Sequence, residues 1–234
     1  MASYTSTGPA GANTEISFAA VMAAHLIAEQ THPLMPNGAI PQKLSLQRRD
    51  GPDGFDDIVV EWQKGDTVGT VFIQSKRPIA ISDNETFRGL ARALAVCEHE
   101  GEWSAAIVAT SITPHLEDIQ VLLESARLST DHKEFDRRWE KTGVLNAAKR
   151  TVLKGFSSAV NGLDHDAAWN AMRRLRVVEH ALALPSSRDR QAAIEILSKA
   201  VAEGADAEAN FEAIRSKFLE TAALSPTFDR TSLV

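Results

Sequence analysis

One short turn constrains the middle of this chain more than any other feature. Residues 54–78 read GFDDIVVEWQKGDTVGTVFIQSKRP, and the segment Lys64–Thr67 separates two runs rich in β-branched residues. A Gly-Asp pair is well suited to the two-residue loop of a β-hairpin. We therefore predict antiparallel strands at Asp57–Trp62 and Val68–Lys76, in a register that places Asp57 opposite Gln74.

This register gathers polar groups on one face of the hairpin. Side chains alternate between the faces of a strand, so Asp57, Gln74 and Lys76 emerge together at the end remote from the turn. Polar groups within a sheet cost free energy unless they are satisfied, and a carboxylate and an amide oxygen are suitable ligands for Mg²⁺. We interpret Asp57 as a bridge between metal and phosphate, Gln74 as a second ligand and Lys76 as the group that orients water or neutralises developing charge. The alternative is a solvent-facing polar end of the hairpin.

Glu15 is a further candidate ligand. It shares one face of the first predicted helix with Phe18, Met22 and Leu26, because positions three, seven and eleven apart lie on the same side. An inward carboxylate there is costly unless it meets a metal or a lysine. The alternative is that Glu15 only complements the positive end of the helix dipole in the first turn.

The pattern of the whole chain predicts an α/β fold followed by helices. Residues 1–12 are expected to be flexible, 13–130 to form the α/β core, and 131–234 to form a helical accessory region without strands. Within the core, the expected elements run in the order α-β-β-β-α-β-α: Ile16–Gln30, Lys43–Arg49, Asp57–Trp62, Val68–Lys76, Glu85–Glu98, Trp103–Thr110 and Pro114–Leu128.

Composition narrows the function classes. The formal net charge of −6 provides no global positive field for nucleic acid or an anionic membrane, so a polyanion needs a local basic patch. The lone Cys97 excludes an internal disulfide and a Cys-rich zinc site, which suits a cytoplasmic protein. No apolar run near the start is long enough to span a membrane. The candidate phosphate-binding residues near the hairpin are Arg48, Arg49, Arg77, Arg88 and Arg92.

The motifs together resemble a known superfamily. A helix with Glu15, a strand, Asp56-Asp57-Ile58, a hairpin and Gln74-Ser75-Lys76 follow one another as in the PD-(D/E)xK nucleases. More narrowly, FDDIVVE…FIQSKR is similar to the double-stranded DNA endonuclease domains at the N-termini of bacterial anti-phage defence proteins. The resemblance covers residues 13–128 and implies a restriction-endonuclease-like mixed sheet with flanking helices.

This resemblance implies a function and partners. It implies a metal-dependent endonuclease that hydrolyses double-stranded DNA with Mg²⁺ or Mn²⁺, using Asp57, Gln74 and Lys76 as catalytic residues and Glu15 as a metal ligand. It also implies a fused or associated sensor or NTPase module and a homo-oligomer. Gln74 departs from the usual Glu or Asp and removes one charge from the metal site. The alternatives are an inactive nuclease-fold module that binds DNA or protein, and an unrelated α/β scaffold.

Overall fold

The structure, a computed structural model, describes residues 8–48, 50–76, 79–81, 84–113, 116–142, 153–158, 165–180 and 187–233. The strands are β1 (Ile40–Leu46), β2 (Ile58–Lys64), β3 (Thr67–Lys76), β4 (Ile79–Ala80), β5 (Glu102–Ala109), β6 (Ile112–Thr113), β7 (Leu175–Glu179) and β8 (Thr227–Asp229). The helices are α1 (Gly8–Ile27), α2 (Glu85–Val96), α3 (Leu116–Leu128), α4 (His132–Thr142), α5 (153–158), α6 (His165–Arg174), α7 (Arg188–Ser198), α8 (Ala207–Thr221) and α9 (Arg230–Leu233), with a 3-10 turn at Ala222–Leu224.

A mixed sheet of six strands forms the centre, in the order β7-β5-β3-β2-β1-β8. The pairs β3-β5 and β5-β7 are parallel, whereas the pairs β2-β3, β1-β2 and β1-β8 are antiparallel. The short strands β4 and β6 form a separate parallel pair. The predicted mixed α/β class is confirmed.

Helices cover both faces of the sheet. On one face α1 packs over β1 and β3, while α7 and α8 pack against α1, and the core there includes Phe18, Phe211 and Phe218. Helix α1 is buried on every side from Ile16 to Leu26, which explains why its sequence is apolar and Ala-rich all round rather than amphipathic. Within the part of the chain that the structure describes, no helix combines the length and apolarity needed to cross a membrane.

On the opposite face α2, α3 and α6 form the second layer. Phe72 of β3 and Phe87 of α2 are fully buried there, and the ring of Phe87 meets that of Phe156 edge-on at 5.1 Å between centroids. At the nearby strand end Gln74 is almost completely buried, whereas Asp57 is only partly buried.

The hairpin adopts the predicted register. Lys64 pairs with Thr67, Glu61 with Thr70, and Ile58 with Ile73 at the far end. The turn residue Gly65 has a left-handed φ of 57°, which a tight hairpin loop requires. The local turn chemistry therefore specified the pairing of β2 and β3.

Two strands contradict the expectation that the chain is helical throughout from residue 131. Strand β7 joins the sheet beside β5 with Leu175 and Val177 buried, and β8 covers the outer edge of β1 with Phe228 buried. β7 has only five residues and follows α6 without a turn, whereas β8 has three, so neither presents a strand pattern of useful length. The boundary proposed at residue 130 stays a prediction.

Candidate cation site

Asp57 and Gln74 meet where β2 begins and β3 ends. The Asp57 carboxylate accepts a hydrogen bond from the Ser75 backbone N–H at 2.7 Å and another from the side-chain amide of Gln74. Gln74 is almost completely buried at 3% exposure, and Lys76 is half-buried at the end of β3. The expected contact between Asp57 and Gln74 is confirmed, whereas the catalytic and ligand roles of these residues stay predictions.

The amide of Gln74 has the opposite orientation to the predicted one. Its nitrogen, not its oxygen, faces Asp57, and the same nitrogen donates to the Ser75 carbonyl at 3.2 Å. An amide nitrogen donates hydrogen bonds and does not coordinate a cation as a carbonyl oxygen does. A cation shared by Asp57 and Gln74 therefore requires rotation of the amide group by half a turn.

Glu15 points inward from α1 to the same region. It is 5% exposed, and its carboxylate accepts a hydrogen bond from the side chain of Gln47 at 3.4 Å. Burial, together with the negative charge of Asp57, raises the pKa of Glu15 to about 8, while the hydrogen bond from Gln47 and the charge of Lys76 oppose the shift. Glu15 is thus an electrostatic neighbour of both Asp57 and Lys76, as an inward carboxylate on this helix was expected to be.

The pKa of Asp57 is also raised. Burial raises its pKa to about 6, although the hydrogen bond from Ser75 and the charge of Lys76 both favour the ionised form. Desolvation is the main cause of both raised pKa values, and the positive charge of Lys76 offsets it only in part. A bound cation would supply further positive charge.

The available donors fit a hard divalent ion. Glu15 and Asp57 offer carboxylate oxygens and Gln74 an amide oxygen, a donor set that suits Mg²⁺ or Mn²⁺ when water or ligand oxygens complete the coordination. No cluster of three or more His, Cys, Asp or Glu residues suited to a metal exists among the described residues. A cation here would therefore depend on two carboxylates, the amide and oxygens from outside the protein.

The candidate arginines fall into three situations. Arg48 forms ion pairs with Asp50 and with Glu61, the latter at 3.2 Å, so its charge is already matched. Arg88 and Arg92 lie exposed one turn apart on α2, as expected. The remaining two, Arg49 and Arg77, lie outside the described residues.

Sequence reasoning missed Gln47. This residue contacts Glu15 through its side chain, and its backbone N–H donates to the Asp57 carbonyl at 2.9 Å. It has a left-handed φ of 54°, which is unusual for a residue other than glycine. A lone glutamine after a strand gives no pattern from which this contact could be predicted.

Comparison with known proteins shows that the fold of this chain is similar to that of several solved structures. No protein-family model matches the sequence, and no curated protein matches it. The Acinetobacter baumannii Cap4 SAVED/CARF-domain containing receptor, solved with the cyclic trinucleotide 3′3′3′-cAAA, is 9% identical with a TM-score of 0.54, over 95% of this chain and 43% of the receptor. The Moraxella osloensis Cap4 SAVED/CARF-domain containing receptor is 11% identical with a TM-score of 0.53, over 97% of this chain and 46% of the receptor. The structures it resembles are receptors.

This likeness corrects the family assignment. The resemblance to PD-(D/E)xK effector domains was wrong, because the similar structures are described as SAVED/CARF-domain receptors. The function drawn from that resemblance, a metal-dependent endonuclease for double-stranded DNA, is contradicted by the same finding. At this level of identity the likeness shows the fold alone, and the chain spans less than half the length of the receptors.

Proposed function

We propose that this chain is a ligand-binding module of a modular receptor in bacterial anti-phage defence. In this proposal its site binds a divalent cation together with a phosphodiester group of a nucleotide ligand. The observation that carries the proposal is the pair of carboxylates beside Lys76, namely the buried Glu15 of α1 and the partly buried Asp57 at the start of β2. Buried carboxylates of this kind need a cation or a proton to compensate their charge.

Each residue of the site would have a separate role in binding the cation or the phosphate. Glu15 and Asp57 would hold Mg²⁺ or Mn²⁺, and the amide of Gln74 would turn its oxygen to the ion. Lys76 lies close enough to both carboxylates to influence their charge and would face a phosphate oxygen of the ligand. The exposed pair Arg88 and Arg92 on α2 would add further phosphate contacts.

The similar structures favour one source of phosphodiester. Two of them are described with cyclic trinucleotides, 3′3′3′-cAAA and 2′3′3′-cAAA. The phosphodiester groups of a cyclic oligonucleotide would offer oxygens to the cation and to Lys76. Fusion to a further module, homo-oligomer formation and a cytoplasmic location belong to this proposal. Hydrolysis with Mg²⁺ stays a prediction.

Calorimetric titration of the purified chain tests the proposal. Mn²⁺ is titrated first, and a cyclic tri-adenylate and a short DNA duplex are then titrated with Mn²⁺ or with EDTA. We expect Mn²⁺ binding, and binding of the cyclic ligand only when Mn²⁺ is present. Asp57→Asn should weaken Mn²⁺ binding at least tenfold, because an amide replaces the charged ligand. Asp66→Asn, at the exposed tip of the hairpin, is the matched control and should bind like the parent chain.

Three results would contradict the proposal. The cation site is refuted if the parent chain does not bind Mn²⁺, or if Asp57→Asn binds it as well as the parent. The assignment of a cyclic ligand is refuted if only the DNA duplex binds with Mn²⁺. Chromatography of the titrated samples shows in addition whether either ligand is hydrolysed.

A further inference from the structure

Gln47 adopts a backbone conformation that is unfavourable for its residue type. Only three residues other than glycine have positive φ in the described part of the chain, namely Glu29, Gln47 and Ser225. A left-handed non-glycine residue costs free energy and persists only when its surroundings hold it in place. Gln47 and Ser225 are 178 positions apart, yet they touch each other, since the Ser225 hydroxyl donates to the Gln47 carbonyl at 3.2 Å.

Gln47 contacts both carboxylate residues of the candidate cation site. Its side-chain amide donates to the Glu15 carboxylate at 3.4 Å, and its backbone N–H donates to the Asp57 carbonyl at 2.9 Å. Strand β1 ends immediately before it, at Leu46. The left-handed turn at Gln47 therefore allows one residue to hold α1 and the start of β2 together.

A second set of contacts ties this turn to the far end of the chain. The Leu46 N–H donates to the Pro226 carbonyl at 3.0 Å, and the buried Ser45 hydroxyl lies 2.8 Å from that of Thr227. Strand β8 then continues along β1 in antiparallel register. We call the segment Ser225–Asp229 the C-terminal strap.

We infer that Gln47 is a positioning residue for the cation site and that the C-terminal strap acts on the site through it. Gln47 sets the position of the Glu15 carboxylate relative to Asp57, and the Ser225 hydroxyl holds Gln47 in its left-handed conformation. This inference rests on the cation binding proposed above. A change in the strap would therefore change the cation affinity without any contact between the strap and the cation.

Substitution by glycine separates the role of the side chain from the effect on the backbone. Gln47→Gly removes the amide and also removes the steric cost of a positive φ. We expect it to weaken Mn²⁺ binding about tenfold, as loss of a residue that orients a metal ligand does, while its urea unfolding midpoint stays close to that of the parent. The exposed hairpin-tip variant Asp66→Asn again serves as the control and should leave Mn²⁺ affinity unchanged.

Ser225→Gly tests the link to the C-terminal strap. This variant removes the hydroxyl bonded to Gln47 at a residue with a φ of 49°. We expect a threefold or greater loss of Mn²⁺ affinity. The double variant Gln47→Gly with Ser225→Gly should bind Mn²⁺ as tightly as Gln47→Gly alone. Independent, additive effects of the two variants would overturn the link, and so would a Ser225→Gly affinity equal to that of the parent.

The outcomes distinguish this inference from the proposed function. If the parent chain does not bind Mn²⁺, the proposed cation site itself fails. If the parent binds Mn²⁺ and Gln47→Gly binds it equally well, the cation site stands and the positioning role of Gln47 is refuted. If Gln47→Gly weakens binding only together with a large fall in its urea unfolding midpoint, disruption of the fold rather than loss of the amide is responsible, and the inference is also refuted.

Discussion

Replacing Glu15 by glutamine should stabilise the protein in the absence of metal. Glu15 is 5% exposed, and burial together with the charge of Asp57 raises its pKa from 4.5 to about 8. At pH 7 the folded carboxyl therefore keeps a proton that the unfolded chain has released. Stability contributed by this proton is complete below pH 4.5 and is lost as the pH rises towards about 8.

The shift in the pKa of Glu15 determines how much the substitution changes the free energy of unfolding. From pH 4.5 to pH 7 the unfolded chain gains about 1.4 kcal/mol per pH unit from ionisation of this group, or about 3 kcal/mol in all. Glutamine has nearly the same shape and does not ionise. Glu15→Gln should therefore raise the free energy of unfolding by up to about 3 kcal/mol at pH 7 and by very little at pH 4.5.

Urea unfolding in EDTA, monitored by tryptophan fluorescence at several pH values, measures this difference. The exposed Glu203, between α7 and α8, gives the matched control Glu203→Gln. A Glu15→Gln variant that is less stable than the parent at pH 7 would refute the reasoning, and so would a difference that does not change with pH. Addition of Mn²⁺ should make the parent more stable than Glu15→Gln, because only the parent keeps both carboxylates that would bind the ion.

Two further variants test the packing and the buried histidines. Gly69→Ala should lower the free energy of unfolding by about 2 kcal/mol in urea titrations, because an added Cβ would lie 2.2 Å from the Trp62 ring. A decrease of less than about 0.5 kcal/mol would contradict this packing. Burial and the neighbouring histidines lower the pKa of His32 to about 2, so below pH 6.5 only the unfolded chain binds a proton at this residue, and the parent loses stability as the pH falls. His32→Leu should reduce this loss in the free energy of unfolding by about 1.4 kcal/mol per pH unit. An unchanged pH dependence between pH 6 and pH 4 would refute that assignment.

The hairpin was predictable from sequence because its determinants are local. The Gly65-Asp66 turn fixed the pairing of β2 with β3, and the alternation of side chains then placed Asp57 and Gln74 together. Glu15 was predictable to face inward from the apolar residues on the same face of α1. Each of these inferences used residues close to one another in sequence.

The missed features depend on contacts between distant parts of the chain. β7 and β8 are short strands whose formation depends on the edges of β5 and β1, and neither shows a periodic pattern of its own. The roles of Gln47 and Ser225 follow from backbone conformations that their residue types do not indicate. The family assignment failed because short motifs at the strand ends were given more weight than the fold of the whole chain.

Anomalous diffraction from crystals soaked in Mn²⁺ tests the cation site most directly. We expect one strong anomalous peak within coordination distance of the carboxylates of Glu15 and Asp57, with the Gln74 amide turned so that its oxygen faces the ion. The Gln47 side chain should still contact Glu15 in that structure. The absence of a peak between the two carboxylates in crystals soaked at saturating Mn²⁺ would contradict the proposed site.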